Sequence, residues 1–284
     1  MRMKFVKMHG AGNDFIIINN IDGAIPLTRL PQLAAGLCTP HRSVGADGLM
    51  VVMPAQNGGD YRMLFFNSDG SIGEMCGNGA RCIARYGYEN GLAGEVQHIE
   101  TTAGLVVGRR VSERLYEVRL NDPSLIDLHR RVSVGGVEYD CGYVELGNPG
   151  IPHAVLLMPD WDEHKQDELR ALGGSLRSAR EFPRGANVSF VKLCGADRVK
   201  AVTYERGVED FTLACGTGCG SIAAVLFLLG LCGSSVEISM PGGELRVSLS
   251  ADGRRIHDIR LTGPTSIVCA GELLDEELLP SLGL

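Results

Sequence analysis

The feature that most constrains the fold is a short Cys-Gly-x-Gly phrase that occurs twice, once in each half of the chain. The first copy is Cys76-Gly77-Asn78-Gly79 and the second is Cys215-Gly216-Thr217-Gly218. With nine cysteines and 38 glycines among 284 residues, chance predicts roughly 0.16 such matches in a chain of this composition. Two matches therefore indicate an internal duplication, which predicts two similar domains.

The residues upstream of each cysteine support the duplication. A β-rich run, Tyr61 to Phe66, leads through a polar turn to the first copy, and Val202 to Tyr204 leads through another to the second. A Gly-Asn pair precedes both, as Gly12-Asn13 and as Gly147-Asn148. Both halves therefore have the same order of elements: a strand, a polar turn, and a cysteine turn that opens a helix. We expect each domain to deliver one thiol to a shared cleft.

We therefore predict an α/β (α+β) fold with two pseudo-symmetric domains. Each domain is a mixed, mostly antiparallel sheet wrapped around a central helix, and the active site lies in the cleft between them. The polar stretch at 121–124 marks the first boundary, and the last segment, Ile267 to Leu273, is expected to return as a strand to the first domain. The predicted domains are 1–124 plus 266–284, and 125–265.

Local patterns place the individual elements. Runs rich in β-branched and aromatic residues between Gly, Asn and Asp predict strands, whereas apolar residues at helical spacing predict helices. The predicted strands include 15–19, 49–53, 61–66 and 245–249, and the predicted helices are 28–37, 82–88, 163–180 and 221–229. The last helix is apolar on all sides, so it is expected to be the central helix of its domain.

Composition excludes several classes of protein. The chain is 44% hydrophobic with a net charge of −7 and no basic stripe, which argues for a globular fold without a nucleic-acid partner. The longest apolar run, Ile222 to Leu229, is too short to span a membrane. The basic N-terminus lacks an apolar signal core behind it. We expect a cytoplasmic protein whose scattered cysteines are mostly reduced.

The cysteine turns predict a chemistry. A thiol at a helix N-terminus lies beside backbone N–H groups and the positive end of the helix dipole, both of which lower its pKa. Glycines after it let a carboxylate approach those N–H groups. Two such sites around one carbon would allow a thiolate to remove the proton α to a carboxylate while the opposite thiol returns one. That chemistry needs no metal and no cofactor.

Eight segments in order resemble the diaminopimelate epimerases, and the resemblance runs from Lys4 to about Gly271. The segments are Met8 to Phe15, Gly45 to Gly48, Asn67 to Ser71, Cys76 to Cys82, Gly147 to Pro149, Asn187 to Phe190, Glu205 to Gly207 and Ala214 to Gly218. Members of that family are cofactor-independent and interconvert LL- and meso-diaminopimelate, which serves lysine and peptidoglycan synthesis.

The resemblance also implies which residues form the site. Cys76 and Cys215 would be the two acid/base residues, and the N–H groups that follow each would bind the carboxylate at the reacting centre, which adds Gly77, Asn78, Gly216 and Thr217. The distal, non-reacting end of the substrate would be held by Asn13, Asn67, Asn148, Asn187, Glu205 and Arg206. An arginine can fork onto a carboxylate and a glutamate can accept from an ammonium, so this set suits a second zwitterion.

Three departures from the family pattern leave alternatives open. Three extra residues, Gly150 to Pro152, precede His153 and would shift it away from the site; Phe211 stands where a glutamate is usual, which questions the support beneath Cys215; and Gly48 replaces a glutamine. These departures would suit a related racemase that acts on a different amino acid.

A hypothesis from another class of protein also remains open. A thiol redox or zinc protein is a further alternative, although the cysteines lack a short Cys-x2-Cys knuckle. We expect Cys82 and Cys219 to be core residues, and the partners to be an amino acid substrate and a second copy of the chain in a homodimer.

Overall fold

A computed structural model describes residues 3–73, 76–161 and 166–284. The strands are β1 (Met3–Gly10), β2 (Asn13–Asn19), β3 (Gly48–Met53), β4 (Tyr61–Asn67), β5 (Val96–Thr101), β6 (Gly104–Arg110), β7 (Leu115–Arg119), β8 (Pro123–Val134), β9 (Val137–Leu146), β10 (Ile151–Leu157), β11 (Asn187–Gly195), β12 (Arg198–Glu205), β13 (Asp210–Thr212), β14 (Ser235–Met240), β15 (Gly243–Asp252), β16 (Arg255–Pro264) and β17 (Ser266–Leu273). The helices are α1 (Leu30–Leu37), α2 (Gly77–Glu89), α3 (Gln166–Arg177), α4 (Gly216–Leu228) and α5 (Leu278–Ser281), and a 3-10 turn, Leu27–Arg29, precedes α1.

The described residues divide into two compact units. Unit 1 comprises residues up to Val118 together with Gly263–Leu284, and unit 2 comprises Arg119–Thr262. The domain boundaries expected from the sequence lie a few residues from these limits and stay predictions.

Unit 1 is a sheet with helices on both faces. Its strand order is β17-β1-β2-β3-β4-β5-β6-β7, with β2–β3 and β4–β5 parallel and the other pairs antiparallel. Helix α2 is buried from Gly77 to Gly87 and packs against β1, β2 and β6. The opposite face carries α1 and α5, whose leucines join the strand residues Ile16, Leu49 and Val51 in one core.

Unit 2 repeats this plan. Its order is β8-β9-β10-β11-β12-β14-β15-β16, with β10–β11 and β12–β14 parallel and the other pairs antiparallel. The short strand β13 pairs with the end of β12. Helix α4 packs against β9, β10 and β15 on one face, and α3 packs against β11 and β12 on the other. Phe182, Phe190 and Tyr204 belong to the core on the α3 side.

The repetition confirms the predicted duplication of an α+β domain. Eight strands follow the same alternation of parallel and antiparallel pairs in both units, and α2 and α4 occupy the same place in that order. The expected return of the last segment is also confirmed, because β17 pairs antiparallel with β1 from Met3 to His9. The cleft between the domains stays a prediction.

The helices begin earlier than their sequence patterns suggest. Apolar spacing placed the starts at Cys82 and Ser221, whereas α2 begins at Gly77 and α4 at Gly216. Two glycines in each first turn lower the local helix propensity, but burial in the unit core outweighs that cost. The helix expected from Glu163 is described from Gln166 to Arg177; its predicted first residues lie outside the described ranges.

No helix in the described part of the chain is long and apolar enough to cross a membrane. Likewise, the described residues contain no group of three or more His, Cys, Asp or Glu side chains placed to hold a metal ion.

Candidate active site

Cys76 is the N-cap residue of α2. Its backbone is extended, with φ −122° and ψ 116°, and its carbonyl accepts the first helical hydrogen bond from the Ala80 N–H at 2.8 Å. The three N–H groups ahead of that bond have no intrahelical acceptor, and the positive end of the helix dipole lies there. The half-buried thiol therefore lies at the helix end best suited to an anion.

The Asn13 amide connects this thiol to its surroundings in unit 1. Asn13 Oδ1 accepts from Cys76 Sγ at 3.2 Å and from Asn78 Nδ2 at 3.4 Å. Asn13 Nδ2 donates to Asp47 Oδ2 at 2.6 Å. The structure thus brings together three residues that the resemblance assigned to the site: Asn13, Cys76 and Asn78.

Asn67 ends β4 and opens the turn that leads toward α2. Its Nδ2 donates to Ser71 Oγ at 2.9 Å, and its backbone carbonyl accepts from the Gly70 N–H at 2.9 Å. The Asp69 carboxylate accepts from both the N–H and the hydroxyl of Ser71. This closed turn holds the half-buried Asn67 amide in a defined position.

Cys215 is the N-cap residue of α4, with φ −115° and ψ 107°, nearly the conformation of Cys76. The Cys219 N–H donates to its carbonyl at 2.9 Å, and its Sγ lies 3.7 Å from Thr217 Oγ1. Gly218 allows this close packing, because a Cβ there would lie 3.1 Å from Cys215 Sγ and 3.3 Å from Thr203 Oγ1.

His153 lies at this turn, so the expectation that the three extra residues shift it away is wrong. His153 Nε2 is 3.0 Å from Thr217 Oγ1. Of the extra residues, Gly150 lies in the β9–β10 hairpin loop, whereas Ile151 and Pro152 open β10 and pair with Leu146 and Glu145. His153 then pairs with Asn187 on the parallel neighbour β11.

One face of the unit 2 sheet carries a row of polar residues. Asn187 and Ser189 on β11 lie on the same face as Thr203 and Glu205 on β12, because side chains two apart point the same way and Ser189 pairs with Thr203. Ser189 Oγ and Thr203 Oγ1 are 2.9 Å apart, and the Thr212 hydroxyl donates to Glu205 Oε1 at 2.5 Å.

Phe211 lies on the opposite face, which answers the question about support beneath Cys215. It pairs with Tyr204 in the β12–β13 ladder, whereas Thr212 pairs with Thr203. Its ring makes edge contacts with the rings of Phe190 and Tyr204 at centroid distances of 6.2 and 6.1 Å. Phe211 therefore does not lie beneath Cys215, because its side chain packs against the α3-side core.

The remaining predicted substrate residues of unit 2 fall into two places. Asn187 Oδ1 accepts from the Arg206 N–H at 2.9 Å and its Nδ2 donates to the Pro152 carbonyl at 3.2 Å, and Arg206 Nη1 donates to the Arg184 carbonyl at 2.8 Å. Asn148, in contrast, is exposed in the β9–β10 hairpin loop. The substrate contacts of these residues stay predictions.

Burial decides the protonation of the groups around Cys215. Burial and the nearby Glu205 carboxylate raise the pKa of the Cys215 thiol well above its ordinary value, although the Gly218 N–H and the Thr217 hydroxyl oppose the shift. The expected lowering of the thiol pKa is therefore wrong for Cys215, because burial favours its neutral form. Burial and the Arg206 charge lower the pKa of His153 to about 3.

The buried imidazole should make stability depend on pH. An unfolded histidine, with a pKa near 6.5, binds a proton at pH 5, whereas His153 stays neutral down to about pH 3. The unfolded chain therefore binds more protons, and the free energy of unfolding falls as the pH falls from 6.5 toward 3. Between pH 7.5 and 5.0 we expect His153 to account for a loss of about 2 kcal/mol.

Urea unfolding of the wild type and of His153→Gln at both pH values checks this expectation. Glutamine can keep a hydrogen bond to Thr217 but does not titrate, so the wild type should lose about 2 kcal/mol more than the variant. Parallel losses in the two proteins would contradict it.

Sequence reasoning missed several residues of the site. Asp47 was part of a matching segment without an assigned function, and Arg81, which donates to the Asn78 amide at 2.9 Å, was likewise unassigned. Thr203 and Ser189 are fully buried polar residues. The alternation of Asn187 with Ser189, and of Thr203 with Glu205, was the available signal, since it marks one polar sheet face.

Comparison with known proteins places the chain in a family. The family model described as diaminopimelate epimerase matches residues 5–122 and 146–268. The diaminopimelate epimerase of Archaeoglobus fulgidus is 38% identical over 98% of this chain and 99% of its own length. That of Aquifex aeolicus is 37% identical over 97% of this chain and 99% of its own.

Solved structures with low sequence identity share the fold. A probable proline racemase from Agrobacterium radiobacter K84 has a TM-score of 0.71 at 18% identity, covering 99% of this chain and 95% of that one. A PhzF-family phenazine biosynthesis protein from Bacillus anthracis also scores 0.71 at 14% identity, covering 96% and 99%. From the duplicated fold, the two capped helices and these matches we conclude that the chain belongs to the diaminopimelate epimerase family of isomerases.

Proposed function

We propose that this protein interconverts LL- and meso-diaminopimelate by a two-base mechanism that uses Cys76 and Cys215 and no cofactor. The observation that carries the proposal is the repeated site: each unit places one cysteine at the N-cap of its buried central helix, with nearly the same backbone angles. Relatives named diaminopimelate epimerase, which match this chain over nearly their full length, support the choice of substrate.

The proposed reaction moves one proton at a time. A thiolate takes the proton from the α-carbon on one face, and the electron pair of the C–H bond stays on that carbon as a carboxylate-stabilised carbanion. The opposite thiol then donates its proton to the other face and becomes the thiolate. Because burial raises the pKa of the Cys215 thiol, Cys215 would supply the protonated form needed for the donor. The reverse reaction exchanges the two tasks.

The helix ends would stabilise the carbanion. In each unit the first-turn N–H groups, those of Gly77 and Asn78 or of Gly216 and Thr217, would bind the α-carboxylate as negative charge develops on it. Such preorganised donors in a site that excludes water are a large source of transition-state stabilisation. Glu205 would accept from the distal ammonium and Arg206 would bind the distal carboxylate, with Asn13, Asn67, Asn148 and Asn187 completing that end.

The first test is proton exchange in deuterated buffer. Purified protein without pyridoxal phosphate should incorporate deuterium at the α-carbon of diaminopimelate as the LL and meso forms approach equilibrium, which NMR and chiral chromatography can follow. A panel of amino acids with a single zwitterion should exchange at least about 100-fold more slowly, because each charge-assisted contact they lack contributes about 1.5–3 kcal/mol. Absence of exchange with diaminopimelate would refute the proposal.

Faster exchange with a panel member would instead favour the alternative, a related racemase for a different amino acid. The structure weakens one reason for that alternative, since the Phe211 side chain packs in the core of unit 2.

A further inference from the structure

Two charged residues flank the amides beside Cys76, one at each end. Asp47 Oδ2 accepts from Asn13 Nδ2 at 2.6 Å, and Arg81 Nη2 donates to Asn78 Oδ1 at 2.9 Å. Between these ends, Asn13 Oδ1 accepts from Asn78 Nδ2 at 3.4 Å and from Cys76 Sγ at 3.2 Å. The five side chains form one continuous hydrogen-bonded chain within unit 1.

The two ends determine the direction of every bond in this chain. A carboxylate only accepts hydrogen bonds and a guanidinium only donates them, whereas an asparagine amide can turn either way. Asp47 therefore requires the Asn13 amino group on its side, which turns Asn13 Oδ1 toward the thiol. Arg81 requires the Asn78 oxygen on its side, which turns the Asn78 amino group toward that same Asn13 oxygen. The two ends require the same direction and hold it together.

Both ends are themselves held. The Asp47 N–H donates to Asp14 Oδ1 at 2.9 Å, and Asp47 Oδ2 also accepts from the Asp14 N–H at 3.0 Å. Asp14 in turn pairs with Lys7 Nζ at 2.9 Å. Arg81 is fully buried and donates to the Gly77 carbonyl at 3.3 Å. Neither end can readily rotate away from its amide.

We propose that Asp47 and Arg81 are positioning residues that keep an acceptor oxygen of Asn13 turned toward the Cys76 thiol. An acceptor favours the S–H form and leaves the thiolate beside a carbonyl oxygen, which makes that thiolate a stronger base. The catalytic value of this arrangement rests on the proposed function, but the arrangement does not. The charged and titratable groups on the elements around Cys76 include Lys7, His9, Asp14, Asp47, Arg81, Cys82 and Arg85.

Alkylation of Cys76 in the substrate-free protein tests the proposal without reference to turnover. The rate of reaction with iodoacetamide against pH gives the midpoint for thiolate formation, and peptide mass spectrometry assigns it to one residue. Trypsin releases residues 63–81 with Cys76 as their one cysteine, and residues 193–198 with the exposed Cys194 as an internal reference.

The informative comparison is between Asp47→Ala and Asp47→Asn. Both remove the negative charge, but asparagine can place its amide oxygen where Asp47 Oδ2 lies, facing two donors, and so keep the Asn13 amide oriented. We expect Asp47→Ala to lower the Cys76 midpoint by about half to one pH unit, the equivalent of one lost hydrogen bond. Asp47→Asn should shift it by less than half as much.

Variants made in the Asn13→Ala protein separate the effect of the oriented amide from the effect of the negative charge on Asp47. In Asn13→Ala, the further change Asp47→Ala should shift the Cys76 midpoint no more than Asp47→Asn does in the wild type, since the larger part of the coupling passes through the missing amide. At the other end, Arg81→Met removes the orientation of the amide, which lowers the midpoint, and a positive charge, which raises it, so the two effects oppose each other. Arg81→Lys, which keeps both the charge and a donor-only group, should leave the midpoint near that of the wild type. Should the arginine variants fail to fold, the Asp47 pair decides.

The proposal is overturned by equal shifts in Asp47→Ala and Asp47→Asn, by no shift in Asp47→Ala, or by a shift of undiminished size when Asn13 is absent. Each of these results would stand whether or not the protein epimerises diaminopimelate, so failure of the positioning proposal is distinguishable from failure of the proposed function.

Discussion

Replacing Cys76 or Cys215 with alanine is expected to abolish measurable epimerisation, lowering kcat/KM by about 10²–10⁴-fold, the usual contribution of a general acid or base. Either variant removes the proton carrier on one face of the substrate, so inversion stops even though the other thiol remains. A single remaining thiol can still take and return a proton on its own face. We therefore expect residual deuterium incorporation without inversion. The stereoisomer that incorporates deuterium should differ between the two variants, because each keeps the thiol on the opposite face.

Matched controls lie one to two turns further along each helix. Cys82→Ala on α2 and Cys219→Ala on α4 also remove a buried thiol without changing either N-cap, and both should retain activity within a few-fold. The measurement is chiral chromatography of the diaminopimelate isomers beside NMR of deuterium incorporation. Epimerisation that survives in either N-cap variant at a rate within tenfold of the wild type would exclude the two-base mechanism.

Gly70→Ala is expected to lower the free energy of unfolding by about 2–5 kcal/mol, because it combines a left-handed backbone with a steric clash. Gly70 has φ +86°, and a Cβ there would overlap the Pro31 carbonyl oxygen at the start of α1. The Gly70 N–H also closes the turn that holds Asn67, so activity should fall together with stability.

Gly23→Ala separates the two causes. Gly23 has φ +69°, but nothing lies within 4 Å of a Cβ built on it, so this variant should lose only the backbone cost of about 1–2 kcal/mol. Urea unfolding of both variants beside the wild type measures the difference. Equal losses of unfolding free energy in Gly70→Ala and Gly23→Ala would mean that the clash with Pro31 contributes nothing to the effect of Gly70→Ala.

Much of the fold and part of the site follow from the sequence itself. The repeated cysteine phrase predicted the duplication, and both cysteines do cap a buried central helix, since glycines after an extended residue leave its backbone free to start a helix close to an anion. The strands around residues 15–19, 49–53 and 61–66 follow from β-branched and aromatic runs between turn residues. These features depend on short stretches of neighbouring residues, so the amino-acid sequence alone is enough to predict them.

Other features of the site depended on which distant residues are brought together when the strands pair. His153 lies beside Thr217 because β10, which pairs with β11, also packs against α4. Phe211 packs away from Cys215 because strand register, which no local pattern of three residues specifies, sets the face it occupies.

The sequence by itself determined the duplicated architecture, the two capping cysteines and the family, because those depend on residue type and order. Only the tertiary structure decided the protonation of Cys215 and His153 and the direction of the Asn13 amide. Burial sets the first, because desolvation of a charge depends on everything packed around it. Partners distant in the chain set the second, because an amide takes the orientation that its neighbours in space require.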